Sequence, residues 1–375
     1  MTSRGSHSGA MTTAPTPDPP LVPGPPGRLL ARLYTAVVER RNQRFDSGRG
    51  VVTLDRPVIS VGNLSLGGTG KTPMVARIID LLRGAGHDPC VAMRGYASKR
   101  NADRRSDEAE IYRAAFEDLP IVAQPDRVDG LIALFGSERG EHVDCIVLDD
   151  GFQHRRIARQ VDLVLVDASR DLLAGGVFPA GRLREPARNL GRATHVTLTH
   201  AESVADARLD SIRENVGRLA PRASVSVACH EWSSLGVLEF GAAGEVSPGS
   251  VARRVVASEA PVSWLRGKRV VAACAIGRPG PFLGAIERAG ALAAESFVLP
   301  DHHAFGAATV RRISRAAVAR DAEAIVLTEK DWTKLADRPV PWPCPVVRPR
   351  LELAFRSGWD TLAADLLAAA ASSPE

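Results

Sequence analysis

Aromatic residues are scarce in this 375-residue chain, at 5%, and no aromatic-interleaved basic stripe occurs, so nucleic acid is not expected as a partner. Cysteine is sparse as well. The five, at 90, 145, 229, 274 and 344, are odd in number and form no C-x-x-C pair, which argues against a disulfide framework or a zinc site. Cys90, Cys145 and Cys274 fall in apolar runs and read as small buried hydrophobes of a reducing compartment. Cys229-His230 stands apart from other ligand types and reads as structural. Apolar runs approaching the roughly 18 residues of a spanning helix are missing, as is a signal-peptide pattern, so a cytoplasmic protein is expected. Acidic excess is missing too. The net charge of +5 favours an anionic partner.

What is present is ordinary globular composition, 45% hydrophobic and 24% charged, over a length that suggests two domains. Its organising stretch runs from Val58 to Pro73. A short apolar run, Pro57 to Val61, reads as a buried strand, and Met74, Val75, Ile78, Ile79 and Leu82 recur at helical spacing. Between them lie glycines 67, 68 and 70, which let successive backbone N–H groups turn toward one anion at a helix N-terminus. This is a phosphate loop, with Lys71 for the β and γ phosphates and the Thr72 hydroxyl for Mg²⁺. Ser65 replaces the first glycine of the general pattern, while Pro73 suits a first helical position.

Residues 1–26, rich in Ser, Thr, Gly and Pro, read as a disordered tail. Over residues 27–46, Leu29, Leu30, Leu33, Tyr34, Val37 and Val38 share a helical face flanked by Arg28, Arg32, Arg40, Arg41 and Arg44. Such a helix can lie on an anionic membrane or pack on its own domain. Further strands are expected at 89–93, 143–148, 161–166 and 195–199, with a helix opening at Asp107-Glu108, where acids suit the first turn. The apolar run to Leu148 closes on Asp149-Asp150, the second half of a nucleotide site, in which the first carboxylate supports Mg²⁺. Prolines and a glycine set the loop 178–186, from which Arg182, Arg184 and Glu185 project. Short alternating runs at 225–229 and 236–240 read as an extended linker. A second α/β unit follows, with strands at 269–276, 295–299 and 324–328, a helix at 279–289, and polar signatures at 300–305 and 328–331.

Taken in order, VGNLSLGGTGKTP at 61–73, RGY at 94–96, DE at 107–108, LDDGFQHRRI at 148–157, PAGRLREP at 179–186, IGRP at 276–279, DHHAF at 301–305 and LTEKDWTKL at 327–335 resemble the tetraacyldisaccharide 4'-kinase family. Its members phosphorylate a membrane-embedded acylated glucosamine disaccharide. Ser65 matches this family's form of the loop, whereas Ser106-Asp-Glu-Ala109 departs from its usual Gly-Asp-Glu-Pro and the loop after Tyr96 is altered. The resemblance implies an α/β fold: a P-loop NTPase-type, mostly parallel sheet flanked by helices over residues 47–222, an extended β linker over 223–262 and a smaller α/β domain over 263–375.

For the site, the resemblance implies ATP binding by Ser65, Leu66, Gly67, Gly68, Thr69, Gly70, Lys71 and Thr72. Mg²⁺ falls to Thr72 and Asp149, and alignment of the reacting phosphate to Asp150. Asp107 becomes the general base toward the sugar 4'-hydroxyl with His302 as its partner, and Glu108, Gln153, His154, Arg184 and Glu185 line the cleft. A substrate anchored by acyl chains also turns the 27–46 helix toward docking on the anionic inner membrane, at its cytoplasmic face. No feature calls for an obligate protein partner. A nucleotide-driven ATPase or GTPase switch would need the same loop and Asp149 but leaves Asp107, Glu185 and His302 unexplained, and the chain lacks the Asn-Lys-x-Asp guanine-reading pattern. An inactive membrane scaffold would not need the lysine, threonine and paired aspartates.

Overall fold

The computed structural model describes residues 21–95, 107–171, 173, 175–240, 255–301, 303–335 and 342–372. The tail expected over 1–26 lies mostly outside the described residues, as do the altered loop and His302.

Helix α1 (Gly24–Asp46) leads. There follow β1 (Val58–Asn63), α2 (Lys71–Gly84), β2 (Pro89–Met93), α3 (Asp107–Ala115), β3 (Ile121–Ala123), α4 (Arg127–Phe135) and β4 (Cys145–Asp149). Next come β5 (Val161–Asp167), β6 (His195–Thr199), α5 (Asp206–Leu219), β7 (Ser224–Phe240), β8 (Val255–Ala260), β9 (Arg269–Cys274) and α6 (Pro279–Arg288). The chain continues through β10 (Leu292–Val298), α7 (Ala307–Ala319), β11 (Ala324–Leu327), α8 (Glu329–Trp332), β12 (Val346–Ser357) and α9 (Trp359–Ala370).

All the described strands join one sheet, in the order β10-β9-β11-β12-β7-β6-β5-β1-β4-β2-β3, with β8 paired to β7. Pairing is parallel except where β7 meets β12 and β8. The central strands β1, β4 and β5 are buried at every position, which is why their sequences run apolar without alternation: a parallel sheet is covered on both faces. One face carries α2 and α3, through Met74, Ile78, Leu82 and Tyr112. The other is covered by α4, through Leu131, and by α5, through Leu209, Ile212 and Val216.

The runs at 225–229 and 236–240, expected as separate, merge into the 17-residue β7. At about 3.3 Å per residue it spans some 55 Å. Its start pairs with β6, and the rest pairs with β12 and β8, so one strand carries the sheet from the phosphate-loop half into the second half. Helix α9, expected within the smaller unit 263–375, instead places Leu362 and Leu366 in one core with Ile59 and Met74. Apolar burial decides this, since these leucines pack into the same core as α2 and β1.

Helix α1 divides its apolar residues. Ala31 and Val38 face the protein together with Asn42, and Tyr34 donates a hydrogen bond to the Arg184 carbonyl at 2.9 Å. Leu29, Leu30, Leu33 and Val37 point outward, 48% to 69% exposed. No helix among the described residues is long and apolar enough to cross a membrane.

Candidate active site

The loop between β1 and α2 is shaped by two glycines in conformations that a side chain resists, Gly67 at φ +107° and Gly70 at φ +85°. Gly68 has no such φ and open space where a Cβ would stand. Helix α2 starts at Lys71, so Pro73 is its third residue and not its first; its missing N–H still falls among the four that have no intrahelical partner. Ser65 is buried, and its carbonyl accepts from Asn63 Nδ2 at 3.0 Å. Thr69 is held from the far side, its carbonyl accepting from Thr199 Oγ1 at 2.9 Å.

The loop after β5 is stitched onto this one by backbone bonds. Leu66 N–H donates to the Arg182 carbonyl at 2.8 Å, and Arg184 N–H donates to that of Leu64 at 2.7 Å. Arg184 is thereby delivered to the mouth of the phosphate loop. Its Nη1 lies 2.9 and 2.8 Å from the two carboxylate oxygens of Asp150 and 3.2 Å from Gln153 Oε1.

Asp149 ends β4, which pairs with β1 so that Val61 faces Asp149, and Asp150 follows in the turn. Asp150 has φ +53°, a turn that swings its carboxylate toward Lys71, whose Nζ is 3.4 Å away and equally 3.4 Å from Asn63 Oδ1. Burial raises the Asp150 pKa, but Lys71 and Arg184 outweigh it and hold the carboxyl below its ordinary range. Asp149 accepts a hydrogen bond from the buried Tyr112 hydroxyl at 2.9 Å. Behind both, the buried Arg127 reaches the Asp150 carbonyl at 3.4 Å, its own pKa lowered by burial against the pull of Asp150 and Asp149.

Glu185, expected to line the cleft, is fully buried behind it. Its oxygens accept from Asn42, Gln153, Asn189 and Arg192 at 2.8 to 3.2 Å. Burial opposes the charge, yet these partners, Arg192 foremost, hold its pKa below the ordinary glutamate value. Gln153 links the layers, donating to Glu185 and to the Asn63 carbonyl, both at 2.9 Å, while accepting from Arg184. His154 sits among Arg127, Arg159 and Arg156; burial first and then these cations press its pKa down to about 4, so its ring is neutral at pH 7.

Lys71, Asp150, Arg184 and Gln153 are thus brought together, with Asp149 and His154 on the same strand-end turn. Asp107 opens α3, but its side chain and that of Glu108 lie outside the described ones, as does His302. The signature at 328–331 is architectural: Thr328 caps α8, and the buried Asp331 accepts from Ala275 N–H at 2.8 Å and from Lys334 at 2.9 Å. Sequence reading missed Asn63, Tyr112 and Arg127. Asn63 lies inside the quoted loop and had a signal in its place at the strand end, whereas Tyr112 and Arg127 belong to segments without one.

The sequence model of the Tetraacyldisaccharide-1-P 4'-kinase family matches residues 27–369. A tetraacyldisaccharide 4'-kinase of Anaeromyxobacter sp. (strain K) is 35% identical over 94% of this chain and 92% of its own length. That of Syntrophus aciditrophicus is 36% identical over 82% of this chain and 83% of its own. The solved structure of LpxK from Aquifex aeolicus in complex with ATP shares the fold, with a TM-score of 0.65 at 24% identity, covering 91% of this chain and 98% of that one. The chain belongs to the tetraacyldisaccharide 4'-kinase family.

Proposed function

We propose that this protein transfers the γ-phosphate of ATP to the 4'-hydroxyl of a tetraacylated glucosamine disaccharide 1-phosphate in lipid A biosynthesis. One observation carries the reading: Lys71 and Arg184 converge on the Asp150 carboxylate at the mouth of a glycine-shaped phosphate loop. Phosphoryl transfer asks for positioned charge more than for covalent chemistry. Two cations held by one carboxylate are prepositioned to meet phosphate oxygens with little reorganisation.

Residues 65–72 would cradle the phosphates through backbone N–H groups. Thr72, in the first turn of α2, and Asp149, beside β1, offer hard oxygen donors of the kind Mg²⁺ takes, and the Tyr112 bond fixes one Asp149 oxygen. Mg²⁺ bound there would neutralise phosphate charge. Asp150 keeps Lys71 and Arg184 aligned. Asp107 takes the 4'-hydroxyl proton, with His302 orienting its carboxylate, because a sugar hydroxyl is a poor nucleophile without a base in reach. Glu108, Gln153, His154 and Arg184 line the acceptor side, and Glu185 braces Gln153 from behind.

The outward Leu29, Leu30, Leu33 and Val37 would dock in the acyl boundary of the inner membrane, at its cytoplasmic face, with the α1 arginines meeting anionic headgroups. Tyr34 and Asn42 on the opposite side bond Arg184 and Glu185, which ties the docking helix directly to the residues of the site.

The test is incubation with γ-labelled ATP and tetraacyldisaccharide 1-phosphate in mixed micelles, with mass spectrometry of the lipid. Label at the 4' position is expected; ATP consumed equally with and without lipid, and no phosphorylated lipid, would overturn the reading.

A further inference from the structure

One polar cluster at the phosphate loop comes from the second half of the chain. Arg278 stands as the N-cap residue of α6, after β9, yet its guanidinium reaches back more than a hundred residues to the carboxyl end of β5. There Nη1 donates to Asp167 Oδ2, and Nη2 donates to Ser169 Oγ at 2.6 Å. Asp167 is fully buried, its other oxygen accepting from Ser169 N–H at 3.0 Å and from the Ser169 hydroxyl at 2.6 Å.

This position is level with the phosphate loop. In the β1–β5 register Asn63 faces Leu165, so Asp167 lies beside the residues that follow Asn63. Two neighbours mark the same place. A Cβ on Gly67 would stand 3.4 Å from Arg170 Nη1, and one on Gly70 would stand 2.5 Å from His230 Nε2. Burial foremost, with the Arg278 charge adding to it, holds the His230 pKa below its ordinary value.

On the kinase reading, Lys71 and Arg184, paired to Asp150, meet the reacting end of the nucleotide on the β4 side of the loop, and its remaining phosphates extend toward β5 and β6. A guanidinium has five N–H donors, of which Asp167 and Ser169 engage two directions, and a quarter of this side chain is exposed.

We infer that Arg278 is a further nucleotide-binding residue, which contacts the ATP polyphosphate from the side opposite Asp150 while Asp167 holds it in place. The inference rests on the kinase reading.

A bare tether between the two halves would explain the same ion pair, and removing Arg278 alone would strand a buried carboxylate. The test therefore compares Asp167→Asn, whose amide oxygen still accepts from the Arg278 guanidinium, with Asp167→Asn/Arg278→Gln, in which a neutral amide pair replaces the ions. ATP affinity is read by titration calorimetry, together with the melting temperature and the KM for acceptor lipid. We expect the double variant to bind ATP about tenfold or more weakly than Asp167→Asn, the loss of a charge-assisted contact, with melting temperature and lipid KM unchanged. ATP affinity within twofold of Asp167→Asn, or a loss that merely tracks unfolding, would reduce Arg278 to a tether. A parent protein that binds no ATP would overturn the kinase reading with it. Binding abolished by Lys71→Ala but kept in the double variant would overturn only the assignment of Arg278.

Discussion

Replacing Glu185 by alanine tests whether this residue acts in the chemistry or in the scaffold. Its side chain has no exposure and pairs with Arg192, itself only 20% exposed, while Asn42, Asn189 and Gln153 supply further hydrogen bonds. Truncation leaves a largely buried guanidinium without its carboxylate, a change that typically costs about 3–5 kcal/mol. At roughly 2–4 °C of melting temperature per kcal/mol for a domain of some 200 residues, the expected fall is on the order of 10 °C. Glu185→Gln, which keeps the shape and loses the charge, should fall by less. The pH dependence has a definite sign. Because the folded pKa lies below the ordinary glutamate value, the Glu185 contribution is present in full above that value and disappears as pH falls through the depressed one. The gap between parent and Glu185→Ala should therefore be constant from pH 8 to about 5 and narrow in stronger acid. Thermal melts across pH, with turnover measured well below the melting point of the variant, provide the assay. Unchanged stability with turnover lost more than a hundredfold would refute the structural assignment and return Glu185 to the cleft.

Lys71→Ala should keep its melting temperature and lose about a hundredfold or more in kcat, since the ammonium stabilises charge on the transferring phosphate; activity within twofold of the parent would remove the phosphate-loop assignment. Leu30, Leu33 and Val37 changed together to Gln should leave the fold and ATP binding intact, because all three are exposed, and should release the protein from anionic vesicles in flotation assays at roughly 0.8 kcal/mol lost per CH₂ no longer buried. An unfolded variant, or unchanged flotation, would contradict the docking role. His154, with its pKa pressed from 6.5 to about 4, binds a proton in the unfolded chain before it does in the folded one. Stability of the parent should thus decline as pH drops below about 6.5, and His154→Gln should show a shallower decline; parallel curves would count against a buried neutral imidazole.

Much of the phosphate-loop half was legible in the chain itself. Buried parallel strands read as unbroken apolar runs, so β1, β2, β4, β5 and β6 could be located within a few residues, and the glycine pattern with Lys71 and Thr72 named the loop between them. Helices α5, α7 and α9 and strand β12 were not recognised, because their apolar residues gain meaning only from the surface they cover; Leu362 and Leu366 of α9 complete a core begun three hundred residues earlier by Ile59 and Met74. The same distinction runs through the site. Residue type and local spacing were enough to select Asp149 and Asp150, and the family resemblance added Arg184 and Glu185. Which of them reaches the mouth of the phosphate loop was settled by long-range contacts: backbone bonds between residues 64–66 and 182–184 carry Arg184 to Asp150, while Asn42 and Arg192 draw Glu185 inward. The division of α1 into a docked side and an outward apolar side has the same origin. Helical periodicity marks a face, but tertiary partners, among them Arg184, Glu185 and Arg155, decide which residues turn toward the protein.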